Sequence, residues 1–459
     1  MRRALAIAHI LMLATLAVAQ TKEADSRSAQ VDALMSRWSQ GRTPGAAVII
    51  IKDGEVLYRK GYGLANLESG TSISPATPFD IASVAKQFTA MAVMMLVERG
   101  KLSYTDSPAK FFPELAPFAQ QVSIRHLLNH TSGLPDYSIY WKEGEKLNRD
   151  HARHTSEDVL KFLAQQKKLN FAPGEKWEYS NSGYVVLALI VGKVSGQPFP
   201  QFLKENIFTP LGMNGTYVYD EAHAQANAAI GYVQKDSSFK QADWNPHNLI
   251  YGDGRFMSTV EDLYKWDQAL YTEKLVKART LREAFTSGAL NDGTKVNYGF
   301  GWGMGKYLGL PFVSHSGGED GFVAQLLRLP EQKFSVIVLS NFEQLTPAYA
   351  IANRITSIYL ADKLTRPATF KPEAQDLKSY AGIYKLYDLA IKISFEDGAL
   401  WLTPPQGKKA RLVPSALDEF FAEGSNGETT FGFTRNARGA VTGLALLYQN
   451  GVFLQRQQR

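Results

Sequence analysis

Ser83-Val84-Ala85-Lys86 sets an alcohol and an amine three residues apart. Phe88, Met91, Ala92, Met95 and Leu96 follow at helical spacing, and Gly100 suits a terminator. Residues three apart share a helix face, so the Lys86 amine can reach the Ser83 hydroxyl. A serine hydroxyl becomes a useful nucleophile only when a neighbouring base takes its proton. Lysine serves as that base when burial and a helix N-terminus pull its pKa down. The spacing also occurs at Ser107–Lys110 and Ser237–Lys240, but only the Ser83 copy opens a long apolar helix.

Two further short stretches carry matching chemistry. Tyr179-Ser180-Asn181 follows the turn residues Pro173-Gly174 and precedes an apolar helix over Tyr184–Val194. A tyrosine beside a lysine ammonium can be held as phenolate and can move protons. Asn181 offers both a donor and an acceptor for a substrate amide. His315-Ser316-Gly317-Gly318 ends a predicted strand, where small residues let a substrate backbone lie along the strand edge. A free N–H there can help hold an oxyanion. Each stretch alone has a plain structural alternative: a helix start, a loop tyrosine and a strand-end turn.

The elements that must position these groups are legible in outline. Strands are predicted over Gly45–Lys52 and Glu55–Leu64, joined by Asp53-Gly54, and again over Phe312–Ser316, Phe322–Leu329 and Phe334–Asn341. Helical segments lie between them, which implies one sheet closed by the two ends of the domain. A polar, Pro-bearing stretch over 365–375 reads as a linker. Beyond it Leu389, Ile391, Ile393 and Phe395 alternate with Ala390, Lys392, Ser394 and Glu396. Asp397-Gly398 turns that strand into Leu400–Leu402, and strands follow over Thr430–Thr434, Val441–Tyr448 and Val452–Gln455, with Asn450-Gly451 as a second hairpin signal. The last ~85 residues therefore read as a small antiparallel barrel or sandwich.

In order, separation and placement the three stretches resemble the penicillin-recognising serine hydrolases, with their Ser-x-x-Lys, Ser/Tyr-x-Asn and Lys-Thr-Gly signature. Tyr in the second and His in the third are most similar to the branch of class C β-lactamases, D-alanyl-D-alanine carboxypeptidases, esterases and D-peptidases. Arg125–Pro135 (RHLLNHTSGLP) and Met257–Leu263 (MSTVEDL) support the likeness, which covers roughly Gln30 to Ala361. The C-terminal region resembles the lipocalin-like barrels appended to some members. The resemblance implies an α+β fold: a β-lactamase-like domain, with an antiparallel sheet flanked by helices plus a helical region, followed by a small all-β barrel. The expected divisions are a signal peptide over 1–19, a hydrolase domain over 20–364, a linker over 365–375 and a barrel over 376–459.

Carried onto this chain, the likeness makes Ser83 the acylated nucleophile, Lys86 its proton partner and Tyr179 a shared general base. Asn181, His315, Ser316 and Gly317 would bind substrate, with His315 also facing Tyr179, and the N–H groups of Ser83 and Gly318 would form the oxyanion hole. No cofactor or metal is implied. Histidine at 315, where penicillin-specialised members usually carry lysine, is mostly neutral at pH 7, which favours esters or peptides over carboxylate-bearing substrates. If its charge matters, activity should vary between about pH 5.5 and 7.5.

Composition removes other classes. Among 459 residues there is no Cys, which excludes disulfides, thiolate metal sites and cysteine nucleophiles. Gly-x-Ser-x-Gly and His-Glu-x-x-His are both absent. His126 and His130 read as structural, and His151 and His154 as solvated. Arg2 and Arg3, the apolar run Ala4–Val18 and the small residues Ala17-Val18-Ala19 read as a secretory signal cut before Gln20. That run is short of the ~20 residues a membrane span needs, so the product is expected to be secreted or periplasmic, without a stable span. Without the signal the net charge falls from +6 to +4, which gives nucleic-acid binding little support. A small-molecule or peptide substrate is the expected partner, and the oligomeric state stays open. Two rival readings are a non-catalytic binder of peptides or peptidoglycan fragments on the same scaffold, and an adaptor acting through its barrel.

Overall fold

The computed structural model describes residues 26–139, 153–220, 227–343, 348–386, 389–447 and 452–457. The signal-peptide reading, His151 and the Asn450-Gly451 hairpin lie outside the described residues.

A six-stranded antiparallel sheet organises the larger part. Its strands are β1 (Ala46–Lys52), β2 (Glu55–Tyr62), β3 (Gly303–Tyr307), β4 (Leu310–Glu319), β5 (Phe322–Leu329) and β6 (Phe334–Ser340). They lie in the order β3-β4-β5-β6-β1-β2, so the first and last strands of the domain pair at its centre, Ala46 opposite Ser340. Period-two alternation divides β1 between two cores. Ala47, Ile49 and Ile51 face a large cluster that contains Phe88 and Trp266. Ala46, Val48 and Ile50 face the other side, beneath Val31 and Met35 of α1 (26–35) and Ile351 and Ile355 of a C-terminal helix.

Four more helices matter for the site and its frame. They are α2 (Lys86–Glu98), α3 (Asn181–Ser195), α4 (Val260–Ala269) and α5 (Ala348–Tyr359). Helices α2 and α3 are apolar around most of their circumference, with Phe88–Leu96 and Tyr184–Ala188 buried, because each is packed on several sides. Gly100 has φ +67°, as the helix stop requires, and Gly196 closes α3 in the same left-handed way. Asp267 of α4 forms a buried ion pair with Arg328 of β5 at 2.5 Å and accepts from Ser335 of β6 at 2.7 Å, which anchors that helix to the sheet.

The C-terminal part is a closed barrel of eight antiparallel strands: β7 (Gly382–Leu386), β8 (Leu389–Glu396), β9 (Ala399–Thr403), β10 (Ala410–Ala416), β11 (Glu419–Ala422), β12 (Thr430–Arg435), β13 (Val441–Leu446) and β14 (Val452–Arg456). Closure comes from β7 pairing β14, with Tyr384 opposite Arg456. The alternating residues Ile391 and Ile393 point into its core, and Asp397 and Gly398 both take positive φ in the hairpin turn. The barrel docks on the sheet's edge strand: Lys306 of β3 donates its backbone N–H to Leu447 at 3.2 Å, and its amine pairs Glu419 at 2.6 Å. The fold is α+β with an appended lipocalin-like barrel.

Candidate active site

Ser83 does not open an α-helix as its spacing predicts. It sits in a 3-10 turn over Ala82–Ala85, and α2 begins at Lys86. A 3-10 turn stacks residues i and i+3 directly, so the tighter geometry still brings the amine to the alcohol. Lys86 Nζ donates to Ser83 Oγ at 2.9 Å, to Asn181 Oδ1 at 2.9 Å and to the Asp253 carbonyl at 2.8 Å. All three ammonium hydrogens are thereby placed, and the side chain is fully buried. Burial pulls the Lys86 pKa down to about 8, against the opposing carboxylates Asp253, Asp136 and Glu319. The other two Ser-x-x-Lys copies are structural: Ser107 caps the 3-10 turn Pro108–Lys110, and Ser237–Lys240 lies across a hairpin.

Tyr179 stands beside this pair. The Lys86 ammonium lies 4.8 Å from its ring centre, and the neighbouring Ser83 hydroxyl acts to lower the phenol's pKa. Burial pushes the Tyr179 pKa well above 10, so the resting group is a neutral phenol and not the phenolate the sequence suggests. Asn181 has partners within the protein as well. Its Oδ1 accepts from Lys86, while its Nδ2 donates to Asp136 at 3.2 Å and to Ser138 at 3.3 Å. In this arrangement it braces the lysine with both amide hydrogens engaged, and the second lone pair of Oδ1 is what remains for a substrate.

The His315 stretch lies inside β4, which runs on to Glu319 and does not end at Ser316. Strand β3 covers β4 only as far as Ser314, and β5 pairs the other side through Glu319. From His315 onward, among the described residues, no strand pairs that edge. Gly317 packs against the nucleophile's turn: a Cβ there would come closer to the Ile81 carbonyl than the 3.0 Å that real side chains keep. At Gly318 a Cβ would meet nothing within 4 Å, so this residue opens on free space. Ser316 is exposed on the same strand.

His315 is buried, and both ring nitrogens are engaged. Nδ1 lies 2.6 Å from the Ser316 carbonyl, which can only accept, so Nδ1 carries the proton. Nε2 then accepts from the Tyr298 hydroxyl at 2.9 Å. Burial and the Lys86 charge depress the His315 pKa to about 3. A desolvated imidazole beside an ammonium is held neutral, which argues against a His315 titration between about pH 5.5 and 7.5.

Five neighbours carry no signal in the three stretches. Tyr298 holds His315, Asp136 holds Asn181, and Asp253 supplies a carbonyl to Lys86 while its carboxylate accepts from Tyr137 at 2.8 Å. Burial raises the Asp253 pKa to about 6, although Lys86 lowers it. Asp80 precedes the nucleophile and accepts from Ala82 N–H at 2.9 Å. His130, read as structural, packs 4.2 Å from the Tyr179 ring and accepts the Ser180 N–H, so it is structural but adjoins the site. Of these five only His130 lies in a stretch the sequence singled out, RHLLNHTSGLP.

A helical nucleophile turn set against a glycine-rich strand edge, with a buried lysine between them, defines a serine hydrolase of the penicillin-recognising kind. The chain belongs to the Beta-lactamase family, whose model matches residues 26–360. It is 33% identical over 432 residues to "Penicillin-binding protein 4*" of Bacillus subtilis (strain 168), covering 88% of this chain and 92% of that one. It is 26% identical over 400 residues to "D-aminopeptidase" of Gluconobacter oxydans (strain 621H), covering 86% and 72%. Among solved structures, the octameric penicillin-binding protein homologue from Pyrococcus abyssi is 27% identical with a TM-score of 0.63, covering 93% of this chain and 99% of that one.

Proposed function

We propose that this protein is an exported serine hydrolase that cleaves ester or amide bonds, including peptide bonds, through an acyl-enzyme on Ser83. The observation that carries this reading is a fully buried lysine, depressed to about 8, at 2.9 Å from the serine hydroxyl. The neutral fraction of Lys86 accepts the Ser83 proton as the oxygen attacks the substrate carbonyl. The N–H groups of Ser83 and Gly318 take the developing oxyanion. Tyr179, a neutral phenol beside the pair, passes its proton to the leaving group and is reprotonated by the Lys86 ammonium, which holds the proton taken from Ser83. Water then repeats the sequence on the acyl-enzyme. Neutral His315 provides no fixed charge for a substrate carboxylate, which favours esters and amides without one. The name of the D-aminopeptidase relative agrees with amides as substrates. Export rests on residues 1–19 as a cleaved signal, and no helix among the described residues is long and apolar enough to cross a membrane.

Intact-mass measurement after a fluorophosphonate, then after penicillin, tests the proposal. A fluorophosphonate adduct mapping to Ser83 is expected, with little or no penicilloyl adduct. Unmodified protein would favour the binding-protein reading instead. Lys86→Ala and Tyr179→Phe should each slow acylation at least about a hundredfold. Near-normal turnover in either would remove that residue from the mechanism.

A further inference from the structure

Strain is concentrated immediately before the nucleophile. Ala82 has φ +45°, a left-handed conformation that a non-glycine residue keeps only where the surroundings impose it. What imposes it is Asp80, whose Oδ1 accepts the Ala82 N–H at 2.9 Å in a turn closed by an aspartate side chain. The other oxygen, Oδ2, accepts from Trp244 Nε1 at 3.2 Å. Main-chain pairing fixes the base of the turn, with Met257 opposite Asp80 and the Ile81 N–H donating to the Phe256 carbonyl at 2.9 Å.

Arg255 faces the same place. Its guanidinium lies over the Trp244 ring at 4.4 Å, its side chain is almost wholly buried, and none of its three nitrogens has a hydrogen-bond partner. A desolvated guanidinium of this kind is tolerated only where an opposite charge balances it. Asp80 feels that charge: Arg255 counteracts the rise in its pKa, to about 6, that burial and Glu319 of β4 produce. Arg255 also has positive φ, +64°, and belongs to the short segment in which Asp253 holds Lys86. The stretch 253–257 therefore reaches both members of the proposed catalytic pair, Lys86 through the Asp253 carbonyl and the Ser83 turn through the main chain of Phe256 and Met257.

We infer that Asp80, clamped by Trp244 and charge-balanced by Arg255, is the positioning residue that sets the Ser83 hydroxyl for attack. The inference rests on the acyl-enzyme reading. Asp80→Asn keeps an acceptor for the Ala82 N–H but presents an amide N–H₂ to the Trp244 donor and leaves Arg255 without its counter-charge. Trp244→Phe removes only the second clamp.

The test is the kinetics of Ser83 labelling by a fluorophosphonate in the full-length protein, resolved into a maximal rate and a half-saturating concentration. Asp80→Asn should lower the maximal rate about ten- to a hundredfold, the scale of a nucleophile displaced by a fraction of an ångström. Its half-saturating concentration should stay within about threefold of wild type. Trp244→Phe should shift the maximal rate in the same direction by less. If Asp80→Asn does not fold, Trp244→Phe decides. A wild-type maximal rate in either folded variant, or a loss confined to half-saturation, overturns the inference while leaving the acyl-enzyme reading intact. Wild-type protein that never labels at Ser83 overturns both.

Discussion

At the scale of single residues the site is governed by burial. Desolvation moves Lys86 down, Tyr179 up and His315 down, and in each case it is the largest influence. The base form of Lys86 is the deprotonated one, so the rate of Ser83 acylation should climb with pH through a midpoint near 8. Fluorophosphonate labelling between pH 6 and 10 measures this, and His315→Asn should leave the midpoint in place. A midpoint that moves with His315 would assign the proton to imidazole instead. His315 should be visible in stability. Its folded pKa of about 3 lies below the ordinary 6.5, so the unfolded chain takes up the proton first. The contribution is intact above pH 6.5 and is lost as pH falls towards 3, at up to about 1.4 kcal/mol per pH unit. Urea unfolding at several pH values should show that slope, and His315→Asn should flatten it.

At the scale of elements, the chemistry-bearing stretches were legible because their spacing survives a change of local structure. Ser83 and Lys86 meet whether the turn is α or 3-10, since both conformations align i with i+3. The central strands were legible for a different reason: β1, β5 and β6 are mostly apolar runs buried on both faces, broken by a few buried polar residues such as Gln325 and Arg328. What could not be read was long-range. Asn181 looks like a free amide in the sequence, and only folding brings Lys86, Asp136 and Ser138 around it. Strand β3 carries Gly303 and Gly305 and has little strand character, yet it forms because the barrel and β4 supply partners on either side. The two glycines after Ser316 provide a test at this scale. Gly317→Ala must push β4 away from the Ile81 carbonyl, so acylation should fall at least about a hundredfold. Gly318→Ala meets nothing within 4 Å and should fold with an unchanged melting temperature. Circular dichroism and labelling kinetics on the pair separate the two; equal behaviour would mean that β4 does not press on the nucleophile's turn.

At the scale of the whole molecule, the barrel is part of the support for the site. Phe453 of β14 is completely buried in a cluster with Trp177, Leu290, Val296 and Tyr298, against which Tyr179 and the barrel's Leu386 also pack. Its ring lies 6.3 Å from that of Trp177, and Tyr298 in the same cluster donates to His315. Polar contacts flank this wedge: Thr294 and Thr442 share a hydrogen bond at 2.7 Å, and Ala437 N–H donates to Asp292 at 2.9 Å. The apolar surface that Phe453 covers belongs to the hydrolase part, so removing the ring leaves a cavity at the join and not within the barrel alone. Phe453→Ala should therefore cost about 3–5 kcal/mol. Because the loss falls on both parts, calorimetry should show their unfolding lowered together, with slower Ser83 labelling as Tyr298 and Tyr179 lose their backing. A variant whose barrel melts early while the remaining transition and the labelling rate keep wild-type values would show two independent units. The site would then be supported by the sheet and helices alone.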